Sequence, residues 1–171
     1  VYGGGAASQT SKKTKIYNYD GGTINADKRT VYIVSGEDIE LYNNNGATIE
    51  ADAGYYGVNF KTAETITIDN DGTITASSGY AIGLYQAETV NLDNSGTIST
   101  DGNFGVYCLE CVDLTLTNSG TISAVSQIGV SARQATGTNT ITNSGTISAG
   151  STKGVDIRKA ANLTLNNSGI I

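Results

Sequence analysis

Apolar residues in this chain fall in short alternating runs, and the runs return on a fixed period. In one stretch they sit at Ile66 and Ile68, then at Ile74, then at Ile82 and Leu84, with polar residues between. Such alternation predicts half-buried β-strands, and the Asn-Ser-Gly or Asp-Gly steps that separate them are turn chemistry. The glycine of a Gly-Thr-Ile step (Gly-Ala-Thr-Ile in the second copy) recurs at Gly22, Gly46, Gly72, Gly96, Gly120, Gly145 and, truncated, Gly169. The gaps are 24, 26, 24, 24, 25 and 24 residues. A period of this size marks a stacked-repeat architecture, because one repeat of three short strands cannot bury its apolar side alone.

Copies at 66–87, 90–111, 114–135 and 139–160 follow the pattern L-T-L-x-N-S-G-T-I-S-A, a variable stretch, then G-V-x-L-x-x-A. Stacked about 4.8 Å apart, equivalent residues form columns. One inward column is Ile24, Ile49, Ile74, Ile98, Ile122 and Ile147. A second is Ile68, Leu92, Leu116, Ile141 and Leu165, which Leu41 joins if the extra residue of its copy lies in a turn. A third is Ile82, Val106, Val130 and Val155, and Ala87, Cys111, Ala135 and Ala160 hold the last inward position. At one corner Asn70, Asn94, Asn118, Asn143 and Asn167 align as a structural ladder whose amides can hydrogen-bond along the axis. The expected fold is therefore all-β: a right-handed parallel β-helix of three-strand coils about 24 residues long. Its hand is the one that nearly all parallel crossovers adopt. It is expected to cover residues 16–171 and to span about 30 Å, with residues 1–15 as an N-terminal arm or cap.

Composition narrows the class. The 171 residues include 22 Gly and no Pro, Met, Trp or His, and 10 Lys+Arg stand against 16 Asp+Glu, a net charge of −6. Apart from Lys12, Lys13 and Lys15 the cations are scattered, without the basic stripe that a phosphate backbone needs, so nucleic acid is not an expected partner. No apolar run approaches the ~20 residues of a helical membrane span. The opening Val-Tyr-Gly-Gly-Gly, with no initiator Met and no signal-peptide pattern, is what a processed or excised piece would show.

The run N-S-G-T-I-S-A with G-V-x-L after it resembles the passenger-domain repeats of bacterial autotransporters, over roughly residues 16–171. The resemblance implies a secreted surface protein on a right-handed β-helix of the pectin-lyase-like type. Such proteins serve in adhesion, self-association or biofilm formation more often than in catalysis. The family's C-terminal export barrel is not in this sequence, which implies a released fragment or another secretion route. The final Asn-Ser-Gly-Ile-Ile stops inside a repeat. An uncapped strand edge there would pair with further chain or stack head to tail with another copy into a filament.

Candidate chemistry is sparse. Cys108 and Cys111, the only cysteines, could form a redox dithiol, half a zinc site or a short disulfide. Zinc would need two more ligands from a chain with no other Cys and no His, and no helix N-terminus is expected that would acidify a thiol. Both positions fall in inward columns, with Leu84, Ala132 and Ile157 and with the alanines, so a tight disulfide of an exported chain or two buried thiols is expected. Closely spaced pairs of this kind also fit the autotransporter resemblance. The best carboxylate grouping is Asp69, Asp71 and Asp93, with Thr117, Thr142 and Asn166 continuing the column of Asp69 and Asp93. It reads as a solvated face in preference to a weak calcium site. No metal or cofactor is expected. Without histidine there is no Ser/His/Asp or Cys/His set, and the chain reads as non-enzymatic. A polysaccharide-processing β-helix is the enzyme alternative.

Two outward arrays are left. Thr23, Thr48, Thr73, Thr97, Thr121 and Thr146 form a column resembling the surface of ice-binding solenoids, but its neighbour (Asn25, Glu50, Thr75, Ser99, Ser123, Ser148) departs from a threonine grid. The other array is aromatic. Of ten Tyr and two Phe, Tyr55, Tyr56, Tyr80, Tyr85, Phe104 and Tyr107 all follow a Gly-Thr-Ile strand. Parity points Tyr80 and Phe104 inward at a corner, and Tyr85 and Tyr107 outward. Tyr55, Tyr56, Tyr85 and Tyr107 are the candidate binding residues, since exposed rings on a rigid face suit glycan or protein recognition. The expected function is that of an extracellular, non-enzymatic, rigid stalk that engages copies of itself or a host or bacterial surface protein or glycan. An ice-binding solenoid is the second alternative. Recognition is expected where the period slips, at Asn45 and Gly46, at Tyr55 and Tyr56, at the cysteine pair and at the two ends.

Overall fold

The computed structural model describes residues 11–150 and 152–171; residues 1–10, most of the expected arm, lie outside them. All regular structure among the described residues is β, and the strand pairings are parallel and in register, in a solenoid of about 6 turns. Each coil has three straight faces. In one coil they are Thr97–Thr100, Phe104–Leu109 and Asp113–Asn118. The first face stacks into a six-stranded sheet, here the isoleucine face; the other two, the ring face and the ladder face, share an eleven-stranded sheet.

The inward columns follow the expected register. Ile49, Ile74, Ile98, Ile122 and Ile147 are fully buried, and Ile16, Leu41, Ile68, Leu92, Leu116, Ile141 and Leu165 align without interruption. Burying one such side chain is worth about 1.5–3 kcal/mol, so the columns supply the main stabilisation. Leu41 keeps its place because the irregularity lies in a turn: four residues separate Asn43 from Thr48, whereas two separate Asn70 from Thr73. The solenoid begins earlier than the repeat motif indicates. Ser11–Asn18 pairs with Gly36–Asn43, so residues 11–15 are strand, not arm. Lysines at its outward positions hide the alternation from a reading that looks for the motif. In the last coil, Asn162–Asn167 is exposed throughout, and Leu163 and Leu165 bring inward columns to the surface.

The asparagine ladder extends beyond the five expected positions to Asn18 and Asn43. Each side-chain amide donates to the next oxygen: Asn18 to Asn43 at 2.9 Å, then Asn43 to Asn70, Asn70 to Asn94, Asn94 to Asn118 and Asn118 to Asn143 at 2.7 Å, and Asn143 to Asn167 at 2.8 Å. The same nitrogens reach the backbone, as from Asn94 to Thr121 O at 3.2 Å. The glycine two residues on lets the turns nest, since a Cβ at Gly96 would collide with Gly72 O.

A second corner joins the ring face to the ladder face. Thr62, Gln86, Glu110, Gln134 and Lys159 occupy it with φ of 50, 54, 58, 57 and 58°. None is Gly or Asn, so each non-glycine left-handed residue costs about 1 kcal/mol. Cys108 and Cys111 are joined in a disulfide that brackets Glu110, with a Cα separation of 6.0 Å and both residues buried. Of the two expected readings, the disulfide is the one found.

The ladder makes a stability prediction. Asn94→Ala removes the donor to Asn118 Oδ1 and the acceptor of Asn70 Nδ2, both fully buried. It should lower unfolding free energy by about 2–3 kcal/mol in urea denaturation, the penalty of orphaned buried amide atoms. A loss below about 0.5 kcal/mol would show that the ladder contributes little.

Candidate binding face

Six aromatic residues, Tyr32, Tyr56, Tyr80, Tyr85, Phe104 and Tyr107, gather on one outer face, but by a different geometry from the one that parity predicts. Ala81 and Ile82, consecutive in sequence, both belong to the core. At the equivalent Gly105 a Cβ would lie 2.8 Å from Ile122 Cγ2 and 2.7 Å from Gly129 O, so this position also turns inward and admits only a small residue. Two successive inward positions reset the alternation at the corner. Tyr80 and Phe104 therefore point outward, in the same cluster as Tyr85 and Tyr107, and do not fill the core. That corrects the inward placement of both.

Strand register assigns three outward columns to the ring face. One holds Arg29, Tyr56, Tyr80, Phe104, Ile128 and Lys153; the next, Tyr32, Asn59, Gly83, Tyr107, Ser131 and Asp156; the third, Lys61, Tyr85, Leu109, Arg133 and Arg158. Ring centroids lie 5.1 Å apart for Tyr56 and Tyr80, 5.0 Å for Tyr80 and Phe104, 5.2 Å for Tyr80 and Tyr107, and 5.8 Å for Tyr85 and Tyr107. Gly83 is where the rings close over the sheet: a Cβ there would lie 2.8 Å from Tyr56 Cε1 and 3.3 Å from Tyr85 Cε2. The Tyr56 and Tyr85 hydroxyls are hydrogen-bonded at 3.0 Å. Burial, reinforced by that bond, pushes the Tyr85 phenol up, so it stays protonated.

Of the four candidate tyrosines, Tyr56 and Tyr85 are half-buried at the surface of this cluster. Tyr107 is 8% exposed and packs beneath its neighbours as support. Tyr55 is 65% exposed in the turn before the face and takes no part in the ring stacking. The slip at Asn45 and Gly46 lies in the turn after the ladder face, away from these rings. The cysteine pair is buried behind them.

Cations complete the face, and these were not singled out from the sequence because they are far apart in it. The Arg29 guanidinium carbon lies 4.6 Å from the Tyr32 ring centroid and 5.8 Å from that of Tyr56. Lys61 Nζ lies 5.7 Å from Tyr32 and 5.9 Å from Tyr85, and Arg133 lies 5.6 Å from Phe104 and 5.7 Å from Tyr107. Among the described residues none of the three pairs with a carboxylate. Ring faces hold them in place without cancelling their charge. Asn59 Nδ2 and Oδ1, Ser131 Oγ and Arg133 Nε are all buried here without a hydrogen-bond partner. A groove of about 360 Å³ is lined by Tyr56, Lys61, Tyr85, Gln86, Leu109 and Glu110.

Four other cations are paired with carboxylates. On the ladder face Glu40 accepts Lys13 at 2.7 Å, Lys15 at 2.6 Å and the Tyr42 hydroxyl at 2.9 Å. Burial works against ionisation of Asp156, but Arg158 and Lys153 outweigh it and hold the carboxyl below its usual range. Asp69 and Asp93 share the outward column of Tyr17 and Tyr42. Burial first, then Asp71 and Asp93, push the Asp69 carboxyl up, and no group of three or more metal-ligating side chains is placed to hold an ion among the described residues. A three-carboxylate column went unread in the sequence: Glu37, Glu64 and Glu88 line a second groove of about 320 Å³, which meets the first at Gln86. The threonine columns stack as expected, next to the Asn25 to Ser148 column. Comparison of the chain with known protein families, curated proteins and solved structures gave no match.

Glu40 generates a pH prediction. Hydrogen bonds from Lys13, then Lys15, lower its carboxyl from the usual 4.5 to about 2. A folded-state value below the unfolded one stabilises above the unfolded value, and that stability is lost as pH falls. Wild-type protein should therefore be more stable than Glu40→Gln at neutral pH. The difference should shrink between about pH 4.5 and 2 in thermal melts; a pH-independent difference would contradict the pairing.

Proposed function

We propose that this chain is a non-enzymatic, rigid stalk segment of an extracellular bacterial surface protein, of the autotransporter-passenger kind, that adheres through its ring face. The observation that supports this is the concentration of Tyr56, Tyr80 and Tyr85 with Arg29, Lys61 and Arg133, three cations without a carboxylate partner among the described residues, on one face of the solenoid. Ring and guanidinium groups dominate recognition surfaces, because they bury large area for little lost freedom. A parallel stack holds them rigid, so little ordering is left to be done on binding. The repeat resemblance adds the extracellular setting. The serine-, Glu50- and Asn25-broken column beside the threonines argues against ice binding, which needs a regular grid.

Beads coated with the purified protein should attach to epithelial cells, or clump with one another, and the double variant Tyr56→Ala with Tyr85→Ala should do so far less. Two hot-spot rings at about 2 kcal/mol each would cost well over tenfold in affinity. The variant must melt within a few degrees of wild type for the comparison to count. Undiminished attachment by the folded variant, or no attachment and no clumping by wild type, would refute the proposal.

A further inference from the structure

We infer that the groove beside Tyr85 binds an acidic saccharide, with a pyranose ring on the Tyr85 face and its carboxylate on Lys61. The inference rests on the reading of the ring face as an adhesive surface and names its ligand. Three features select this chemistry. Lys61 Nζ lies 5.9 Å from the Tyr85 centroid, within reach of a substituent on a sugar stacked on that ring. The C–H face of a pyranose is weakly positive and complements the negative face of an aromatic ring. Along the groove, Gln86 and Glu110, hydrogen-bonded to each other at 3.0 Å, present amide and carboxylate groups suited to sugar hydroxyls, and Leu109 gives an apolar floor.

Charge separates an acidic sugar from a neutral one. Lys61 and Arg133 share one outward column, three coil steps or about 14 Å apart, and neither has a carboxylate partner among the described residues. On a chain of net charge −6 their positive charge is a local exception. A linear saccharide lying along the solenoid axis would meet Lys61, Tyr85, Leu109 and Arg133 in turn. A densely charged polyphosphate fits badly, since Glu110 borders the groove and Glu37, Glu64 and Glu88 lie beyond Gln86. An extended acidic peptide would lack its usual anchorage. The strands that carry the groove, Tyr56–Asn70, Tyr80–Asn94 and Phe104–Leu109, are hydrogen-bonded on both sides by neighbouring coils, so the groove offers no free edge to which a peptide could add.

The test is direct binding by calorimetry to an oligogalacturonide and a hyaluronan fragment, with a polyglutamate peptide and a neutral dextran as alternatives. The expected result is binding of at least one uronate chain, weakened by salt, reduced at least about tenfold by Lys61→Gln and by Tyr85→Ala, and largely retained in Lys61→Arg. Folded state is checked by melting temperature, and Lys13→Gln serves as a variant outside the groove. Equal binding of neutral dextran overturns the assignment of Lys61 as carboxylate anchor. Stronger binding of polyglutamate overturns the saccharide. No binding to any probe, with bead attachment still dependent on Tyr56 and Tyr85, overturns this inference alone; loss of that attachment as well removes the adhesive reading beneath it.

Discussion

Every coil of this protein depends on having another coil directly above or below it, in register. A single turn has too little interior to bury its own side chains, and its apolar residues are covered only by their equivalents in neighbouring turns. Because side chains alternate along a strand, a slip of one residue would turn each inward column out to solvent. The asparagine ladder opposes such a slip. Asn70, Asn94, Asn118 and Asn143 are buried polar groups whose side-chain oxygens accept from the amide of the coil before only in register, and a buried polar atom without a partner costs about 1–3 kcal/mol. Apolar columns supply the bulk of the stability, and the ladder supplies the alignment. The turns accept whatever length is left over, as the four residues between Asn43 and Thr48 show.

With the interior fixed this way, outward positions are released from the fold. Replacing an outward residue leaves the core untouched, so a face can acquire chemistry one coil at a time. The ring face shows it: its first column changes from Arg29 through Tyr56, Tyr80 and Phe104 to Ile128 and Lys153 over an unchanging interior of Val31, Val58, Ile82, Val106, Val130 and Val155. The corner position occupied by Ala81 and Gly105 makes this face broader than simple alternation allows. It sends a second consecutive residue inward and sets Tyr80 and Phe104 outside with Tyr85 and Tyr107.

Those same physical facts explain what was legible in the sequence. The isoleucine column, the Leu41 column, the Asn corner and the threonine array repeat with the period, so spacing alone places them. The orientation of Tyr80 and Phe104 does not follow from spacing, because strict alternation has no means of seeing a kink; the small residue after each ring was its one trace. The corner at Thr62, Gln86 and Glu110 was unreadable for the opposite reason, as left-handed residues are recognised by Gly or Asn and this column has neither. Asn139 sits where its column holds Leu114 and Leu163, buried by hydrogen bonds to Ala135 O at 3.0 Å and Gly137 O at 3.1 Å, a local solution that no period announces. Lys61 and Arg133 are 72 residues apart (133 − 61), and only the register brings them into one column.

The distribution of neutralised and unneutralised charge bears most directly on the ring face. Lys13 and Lys15 share Glu40, and Lys153 and Arg158 share Asp156, so those cations are already committed to partners within the fold. Carboxylates outnumber cations in this chain, 16 to 10, and could have covered Arg29, Lys61 and Arg133 as well. Aromatic rings sit beside them instead. A ring quadrupole orients a cation but leaves its monopole field almost intact, whereas a carboxylate would cancel that field within a Debye length of about 8–10 Å. Cations placed in this way are held still and keep their reach into solvent. That arrangement suits an anionic ligand arriving from outside and has little advantage for a residue whose only task is to stabilise the solenoid.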